Sequence, residues 1–313
     1  MNFDYNKRLI LLVLTGSRAY GTFHEGSDYD YRGVIIPPTY FYKSALLKFE
    51  QKEGLEGYGP DSSAYNITKF VKLAMDNNPN ILEVLFTPDH LVKINTKYGE
   101  RLRANRHLFI SKKARHTLSG YAFAQLKRMK QHKAWWDREL AGDIPPKPLR
   151  ANYGLPDQPK YSNDMLNQLM TCPTDCLKDE LVDYVTRERK YHMDKDKYNS
   201  WFEWKSSRNP ARYILEKDFG FDAKHGMHLV RLMTMGEELL TTGELIVERP
   251  DAEYLKSIKN GAVTFDWLVK WAEEMDLKLS ELYETSTLQH EPKRQDIDQL
   301  CIDIITEAEK DGW

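Results

Sequence analysis

Cysteine is scarce in this chain of 313 residues, and its scarcity excludes one broad class of protein. Three cysteines stand against ten methionines. Small secreted folds that depend on disulfide bonds need several paired cysteines, so a disulfide framework is excluded and a reducing compartment is favoured. We therefore expect a cytoplasmic protein.

Long apolar runs are also missing from the N-terminal region. The run at Leu9–Leu14 has six residues, whereas a membrane-spanning helix needs about 20. No small-residue cleavage site follows this run, so the pattern does not indicate a secretory signal peptide. We expect no membrane association and an unprocessed N-terminus that starts at Met1-Asn2-Phe3.

Net charge is small as well, at −2, so the overall charge does not indicate a polyanionic partner. The charges are nevertheless unevenly distributed. Residues 99–150 contain thirteen Lys or Arg against four Asp or Glu, and residues 237–313 contain eight against nineteen. This asymmetry fits a surface that faces nucleic acid, and it fits equally well two solvated helical faces of opposite sign.

The chain does contain enough apolar sequence for a folded core, with 41% hydrophobic and 29% charged residues. Strand-like runs occupy residues 8–15 and 29–36, and a shorter candidate strand occupies residues 61–65. Asn66 predicts the N-cap of a helix. The apolar residues of that helix recur with helical spacing at Ile67, Phe70, Val71, Ala74 and Met75.

After about residue 95 the helical patterns dominate. Long periodic segments with little Pro or Gly predict helices over residues 115–133, 224–240, 265–283 and 297–310. A Pro- and Gly-rich stretch at 142–159 predicts a loop, and residues 160–220 have no assignable pattern. We expect an α+β fold, with a small mixed-sheet lobe over residues 1–95 and a mostly helical domain over residues 96–313.

The segment from Gly16 to Asp30 carries the most chemical information. Gly16-Ser17 follows a predicted buried strand, where a glycine permits close approach of the backbone and the hydroxyl and N–H groups can hold a phosphate oxygen. Asp28 and Asp30 are two residues apart on the next predicted strand, so their carboxylates project from the same face. Magnesium is bound by one or two such carboxylates together with substrate phosphates. The alternative is an ordinary turn followed by an exposed acidic edge strand.

This pattern, Gly-Ser followed after ten residues by Asp-x-Asp, resembles the signature of the DNA polymerase beta-like nucleotidyltransferase superfamily. Within that superfamily the chain resembles in particular the RlaP-like nucleotidyltransferases, named for their association with RNA repair. The segments that carry the resemblance are residues 16–21, 27–34, 69–70, 78–83 and 224–232.

The resemblance implies two-metal nucleotidyl transfer, with Mg²⁺ or Mn²⁺ as the cofactor and a nucleoside triphosphate as the substrate. It also implies roles for individual residues. Asp28 and Asp30 would be the metal ligands and catalytic residues, and Gly16, Ser17 and Arg18 would contact the nucleotide.

The superfamily usually has a third carboxylate on a neighbouring strand, which often acts as the base for the attacking hydroxyl. Asp61 is the matching position here. It departs from the pattern because it follows Gly59-Pro60 and precedes a weak strand sequence. Glu53 and Glu56 therefore remain alternatives for this catalytic and metal-binding role.

A cationic stripe is predicted on the helix that begins near residue 224. Lys224, His228 and Arg231 lie within an arc of about 60° on an ideal helix, away from its apolar side. Such side chains can neutralise the charge of a triphosphate. Together with the resemblance, this spacing predicts that they bind the nucleotide. The alternative is a basic surface stripe that contacts only water.

Three further features allow two interpretations each. Cys172 and Cys176 form one thiol pair, whereas a structural zinc usually has four ligands in two pairs. The tryptophan-rich segments at 135–136 and 201–204 are suited to stacking on nucleic-acid bases or to an ordinary core. Glu83, on a short apolar helix, either orients an active-site group or forms a buried ion pair.

These observations lead to an enzyme as the expected function. It would transfer a nucleoside monophosphate from an NTP to a hydroxyl acceptor, such as an RNA or tRNA 3′ end. One alternative is that the same site adenylylates a protein or a small molecule. Another is a non-catalytic nucleotide- or RNA-binding module, although such a module has no need of two mutually repelling aspartates.

Overall fold

The computed structural model describes residues 3–207 and 210–313. Met1 and Asn2, at the N-terminus expected to be unprocessed, lie outside the described residues. Contacts between Cα atoms divide the chain into two compact units. The first unit consists of Met1–Arg128 and Ala223–Trp313, and the second consists of Met129–Asp222.

Helices make up most of the described residues. In chain order they are α1 (Gly16–Ala19), α2 (Tyr40–Lys43), α3 (Ile67–Met75), α4 (Pro79–Phe86), α5 (Lys97–Ala104), α6 (Ala114–Leu140), α7 (Asn163–Thr171), α8 (Asp179–Ser206), α9 (Pro210–Phe219), α10 (Ala223–Thr242), α11 (Ala252–Lys259), α12 (Phe265–Thr285) and α13 (Arg294–Lys310). The four long helices expected from the sequence are confirmed as α6, α10, α12 and α13, each with slightly wider bounds.

The first unit also contains a five-stranded mixed sheet. Its strands are β1 (Leu9–Thr15), β2 (Asp30–Ile35), β3 (Gln51–Glu53), β4 (Ser63–Asn66) and β5 (Val92–Asn95). Their order across the sheet is β3-β4-β2-β1-β5. Strands β2 and β4 pair in parallel, whereas the other neighbours are antiparallel.

Strand β1 lies inside the sheet, and its sequence reflects that position. It pairs with β2 on one side and with β5 on the other. All seven of its residues are buried. Leu9 and Leu12 join a core cluster with Ile35, Leu55 and Ala64, and helices α4 and α5 also pack on β1. A strand covered on both faces must be continuously apolar rather than alternating, as this one is.

Helix α3 begins where the sequence predicts. The Asn66 side chain accepts a hydrogen bond from the backbone N–H of Thr68 at 3.1 Å, which satisfies one of the free N–H groups at the helix start. Ile67, Phe70 and Val71 are buried along its apolar side. The predicted cap and apolar stripe of this helix are therefore confirmed.

In the second unit, most of the described residues between 160 and 220, which the sequence leaves unassigned, are helical. Its core contains Leu155, Leu166, Tyr184, Val185 and Tyr191. Long helix α8 has apolar, aromatic and charged residues all around its axis, so no single apolar stripe marks it in the sequence. The preceding stretch 142–159 is mostly a loop, as expected, with a 3₁₀ turn at Arg150–Tyr153.

A buried ion pair helps to hold the second unit together. Arg150 forms a two-pronged pair with the carboxylate of Glu188, which also accepts a hydrogen bond from the Tyr184 hydroxyl at 2.6 Å. Trp136 and Trp204, from the tryptophan-rich segments, are buried in this unit. Their burial supports the core interpretation for these two side chains.

The architecture confirms the expected α+β class, with a small mixed sheet in the N-terminal part of the chain and a helical remainder. Among the helices of the described residues, none has both the length and the apolar composition that crossing a membrane requires. The expected boundary at residue 95, between the small mixed-sheet lobe and the helical domain, stays a prediction.

Candidate active site

The site begins at the junction between β1 and α1, where Gly16 serves two purposes. Its φ of +69° is a left-handed conformation that favours glycine. A Cβ atom at this position would also overlap a carboxylate oxygen of Asp30. The missing side chain therefore lets the Asp30 carboxylate lie directly against the start of α1. The expected strand-to-helix junction at Gly16-Ser17 is confirmed.

Asp28 and Asp30 differ in their local structure, although the sequence predicts one strand for both. Strand β2 begins at Asp30, and Asp28 lies in the loop before it. Parallel pairing of β2 with β4 aligns Arg32 with Ser63. Asp30 and Asp61 are each two residues before these partners, so the pairing brings Asp61 close to Asp30 although Asp61 precedes β4.

The pKa of Asp30 supports the same close arrangement of the aspartates. Burial and the negative charges of Asp61 and Asp28 raise the pKa of Asp30 above its ordinary value, while Arg32 and Lys224 act in the opposite direction. Three carboxylates thus influence one another at the end of the sheet. Glu53, one alternative to Asp61, is an exposed residue of edge strand β3.

Arg18 holds the loop that carries Asp28. Its guanidinium donates hydrogen bonds to the backbone carbonyls of Ser27, at 2.8 Å, and of Asp28, at 3.2 Å. The same group lies 3.7 Å from the centre of the Tyr29 ring and 5.1 Å from that of Phe23. These contacts anchor the loop to α1. They also engage the Arg18 guanidinium, which the sequence predicts to contact the nucleotide.

Basic side chains of α10 and α11 line the same cavity as Asp28 and Asp30, and we call them its basic wall. Lys224 and His228 of α10 line it, and so does Lys259 at the end of α11. Burial and the positive charge of Lys224 lower the pKa of Lys259 below its ordinary value. Two ammonium groups that repel each other beside a cavity are stabilised by an anion between them. Lys259 was not predicted from the sequence, because it stands 35 residues after Lys224 on a separate helix.

A buried network surrounds Arg231, which also lines the cavity. Its guanidinium contacts one carboxylate oxygen of Glu83 at 2.5 Å, and the Tyr20 hydroxyl donates to the other at 2.7 Å. The guanidinium also lies 3.8 Å from the centre of the Tyr20 ring. Burial lowers the pKa of Arg231, but its interactions with Glu83, Tyr20 and Asp251 together outweigh burial, so the net pKa is raised. The buried ion pair that the sequence offers as one interpretation of Glu83 is present.

The cavity has a volume of about 850 Å³, within the usual range for small-molecule sites. Seven of the nine site residues predicted from the sequence line it, namely Gly16, Ser17, Asp28, Asp30, Lys224, His228 and Arg231. Asp61 instead lines an adjoining cavity, which it shares with Asp28. Arg18 lines neither of these two cavities.

Helix α6 forms a further side of the cavity, which the sequence did not predict. The α6 residues that line the cavity are His116, Thr117, Gly120, Tyr121, Ala124, Gln125 and Arg128. The sequence predicts the helix that carries these residues, but it does not indicate which side of that helix lines the cavity with the aspartates.

The residues present fit a divalent cation of the magnesium type. The donors at the end of the sheet are carboxylate oxygens, which Mg²⁺ prefers. Their mutual repulsion, visible in the raised pKa of Asp30, is relieved by a cation. In the second unit, His132, Glu216 and Asp222 form a group whose potential donor atoms lie within 4.8 Å of one another.

Comparison with known proteins agrees with this geometry. Residues 2–139 match the model of a family described as RlaP, the RNA repair pathway DNA polymerase beta family. The match covers the whole sheet and ends within α6, so the cationic residues of α10 and α11 lie outside it. No curated protein matches the chain. The match over residues 2–139 supports assignment of this segment to the polymerase beta-like RlaP family, and it indicates a role of the nucleotidyltransferase type.

Proposed function

We propose that this protein is a metal-dependent nucleotidyltransferase, which transfers a nucleoside monophosphate from an NTP to a hydroxyl acceptor. One observation carries the proposal. Asp28 and Asp30 line the same cavity as Lys224, His228 and Lys259, so groups suited to metal ions face groups suited to phosphates.

The ligands proposed for the metal ions are Asp28, Asp30 and Asp61. When bound, Mg²⁺ or Mn²⁺ would stabilise the charge on the attacking and leaving oxygens of an in-line displacement. The triphosphate would be held by the backbone and hydroxyl of Gly16-Ser17 and by the two lysines of the basic wall. Their positive charge would favour departure of pyrophosphate.

The reaction forms a bond from the acceptor oxygen to the α-phosphorus and breaks the bond from that phosphorus to its bridging oxygen. Pyrophosphate leaves with this oxygen, and the hydroxyl proton passes to a carboxylate. Asp61 is the proposed proton acceptor because it is exposed and lies close enough to Asp30 to raise the pKa of Asp30.

For Arg231 we propose a role other than the nucleotide binding that its spacing predicts. It is 3% exposed and paired with Glu83, so it would act mainly through its neighbours by fixing α10 against Tyr20. Arg18 would likewise position Asp28 through the loop backbone. We propose both as positioning residues.

An RNA acceptor receives limited support from the basic stretch 99–150. Among the described residues, seven of its thirteen cations form ion pairs, namely Arg101, Arg103, Lys113, Arg115, Lys133, Arg138 and Arg150. Lys127, Arg128 and Lys130 are exposed on α6, and Arg128 also lines the cavity. Exposed cations on the helix that lines the cavity are suited to contacts with a nucleic-acid backbone.

The test is transfer of label from each α-³²P-labelled NTP, with Mg²⁺ or Mn²⁺, to total RNA, to total protein or to small hydroxyl compounds. We expect RNA to become labelled and Asp28→Ala and Asp30→Ala to abolish labelling. The matched control is Asp157→Ala, an exposed loop residue in the second unit. Label on protein or small molecules instead would identify the alternative acceptor. Nucleotide binding without any transfer would contradict the enzyme and favour a binding module.

A further inference from the structure

The α6 wall of the active-site cavity differs in chemistry from the other two walls. Of the seven α6 residues that line it, none is acidic, and Arg128 is the one with a permanent positive charge. The others are small, aromatic or neutral hydrogen-bonding residues. This wall therefore suits an uncharged, flat part of a ligand rather than its phosphates or a metal ion.

Gly120 leaves space at the centre of this wall. A Cβ atom at this position would meet no other atom within 4 Å, and the residue is exposed to the cavity. Ala124, one turn later, is also exposed. Glycine inside a helix costs about 1 kcal/mol relative to alanine. The backbone conformation here does not require glycine, since its φ is not positive.

The side chains beside this space can contact a nucleobase. Tyr121 is 38% exposed, and its hydroxyl accepts a hydrogen bond from the Asn78 side chain at 2.9 Å, which fixes the ring. Gln125 is half-buried and lines the cavity one turn later. An aromatic ring provides a stacking surface for any base, and an amide can donate to and accept from a base edge.

We infer that the α6 wall is a nucleobase subsite. In it, Tyr121 provides the aromatic contact, Gln125 contacts the base edge, and the missing side chain of Gly120 leaves space for the base. This inference rests on the proposed function, because the phosphates of the same ligand would lie against Lys224 and Lys259. The base belongs either to the incoming NTP or to the last nucleotide of the acceptor, and both present the same chemistry.

The experiment uses the full chain and the variant Gly120→Leu, which fills the open space while favouring the helix. Calorimetry with Mg²⁺ measures the Kd of three probes. These are an NTP analogue with a methylene bridge between the α- and β-phosphorus, inorganic tripolyphosphate, and a short RNA with a free 3′ hydroxyl. Ala134→Leu, at an exposed α6 position outside the cavity, is the matched control.

We expect Gly120→Leu to weaken one base-containing probe by about tenfold or more, the scale of one lost base contact, and to leave tripolyphosphate unchanged. Weaker binding of the analogue assigns the subsite to the NTP, and weaker binding of the RNA assigns it to the acceptor. Tyr121→Ala should weaken the same probe, and Tyr121→Phe should retain most of the affinity.

Two results would overturn the inference, and they are distinguishable. If the wild-type protein binds all three probes and Gly120→Leu changes none of them, the subsite is wrong while the proposed function stands. If the wild-type protein binds neither the analogue nor tripolyphosphate, the proposed function fails and the subsite fails with it. Circular dichroism of each variant verifies that the helix content is unchanged.

Discussion

Removing the Glu83 carboxylate should destabilise the first unit more than the loss of any surface ion pair. Glu83 is 1% exposed and accepts hydrogen bonds from both Arg231 and Tyr20. In Glu83→Ala the guanidinium of Arg231 stays buried without its counter-charge. Breaking a buried pair in this way costs about 3–5 kcal/mol, a large part of a typical stability of about 5–15 kcal/mol.

The double variant Glu83→Leu/Arg231→Met separates the cost of an unpaired charge from the value of the pair. Both charges are then replaced by apolar groups of similar size, which is often close to neutral. The hydroxyl of Tyr20 loses its acceptor, at a cost of about 1–3 kcal/mol. We therefore expect the double variant to be more stable than either Glu83→Leu or Arg231→Met.

Hydrogen exchange followed by mass spectrometry provides the assay, because it measures the opening free energy of peptides from α4 and α10 without assuming that the two units unfold together. The control is Glu309→Ala, which breaks the exposed pair with Lys43 and should cost about 0–1 kcal/mol. If Glu83→Ala changes the opening free energy by less than about 1 kcal/mol, or if the two single effects simply add, the network does not stabilise the unit as reasoned.

Three other perturbations test separate parts of the structure. Gly16→Ala should reduce label transfer by about 100-fold or more, because the new methyl group displaces the Asp30 carboxylate and a displacement of about 1 Å can cost that much. Activity within a few-fold of wild type would contradict the position of the Asp30 carboxylate against Gly16. Arg18→Lys should weaken Mn²⁺ binding, measured by electron paramagnetic resonance, because a lysine cannot bond two carbonyls of the metal-binding loop in the same geometry; unchanged Mn²⁺ affinity with weaker tripolyphosphate binding would instead support a direct nucleotide contact. Burial raises the pKa of Glu188, but hydrogen bonds, first of all from Arg150, lower it further, so the net pKa is below its ordinary value. The stability that this pair gives the second unit is complete above the unfolded pKa of about 4.3 and is lost as the pH falls through the lower folded pKa; hydrogen exchange between pH 6 and pH 3 should show this loss, and Glu188→Gln should reduce the pH dependence, whereas an unchanged profile would refute the assignment.

Much of the sheet and one half of the site follow from local sequence. The continuous apolar run of β1, the cap and stripe of α3 and the Gly16-Ser17 junction are properties of neighbouring residues, so a pattern of a few residues predicts them. The short strands β3 and β5 lack such a pattern. Strand β3 has three residues and an exposed edge, and neither its length nor its polarity distinguishes it from a loop.

The other half of the site depends on contacts between distant segments. Asp61 approaches Asp30 through the parallel pairing of β2 with β4, and its own surroundings in the sequence resemble a turn. Glu83 and Arg231 are 148 residues apart, and their pairing is not visible in the sequence. All three residues of the stripe predicted on α10 line the cavity, but Lys224 and His228 are half-buried, whereas Arg231 is buried and paired.

The sequence by itself determined the motif of Gly16, Ser17, Asp28 and Asp30, and with it the resemblance to the polymerase beta-like nucleotidyltransferases, because the spacing of that motif along the chain reflects the local geometry that the chemistry needs. Tertiary structure alone decided what faces the motif. The proximity of Lys259 to Lys224 and the position of Gly120 within the α6 wall depend on how the helices pack. Packing is set by the total burial of many side chains, so no short segment of the sequence encodes it.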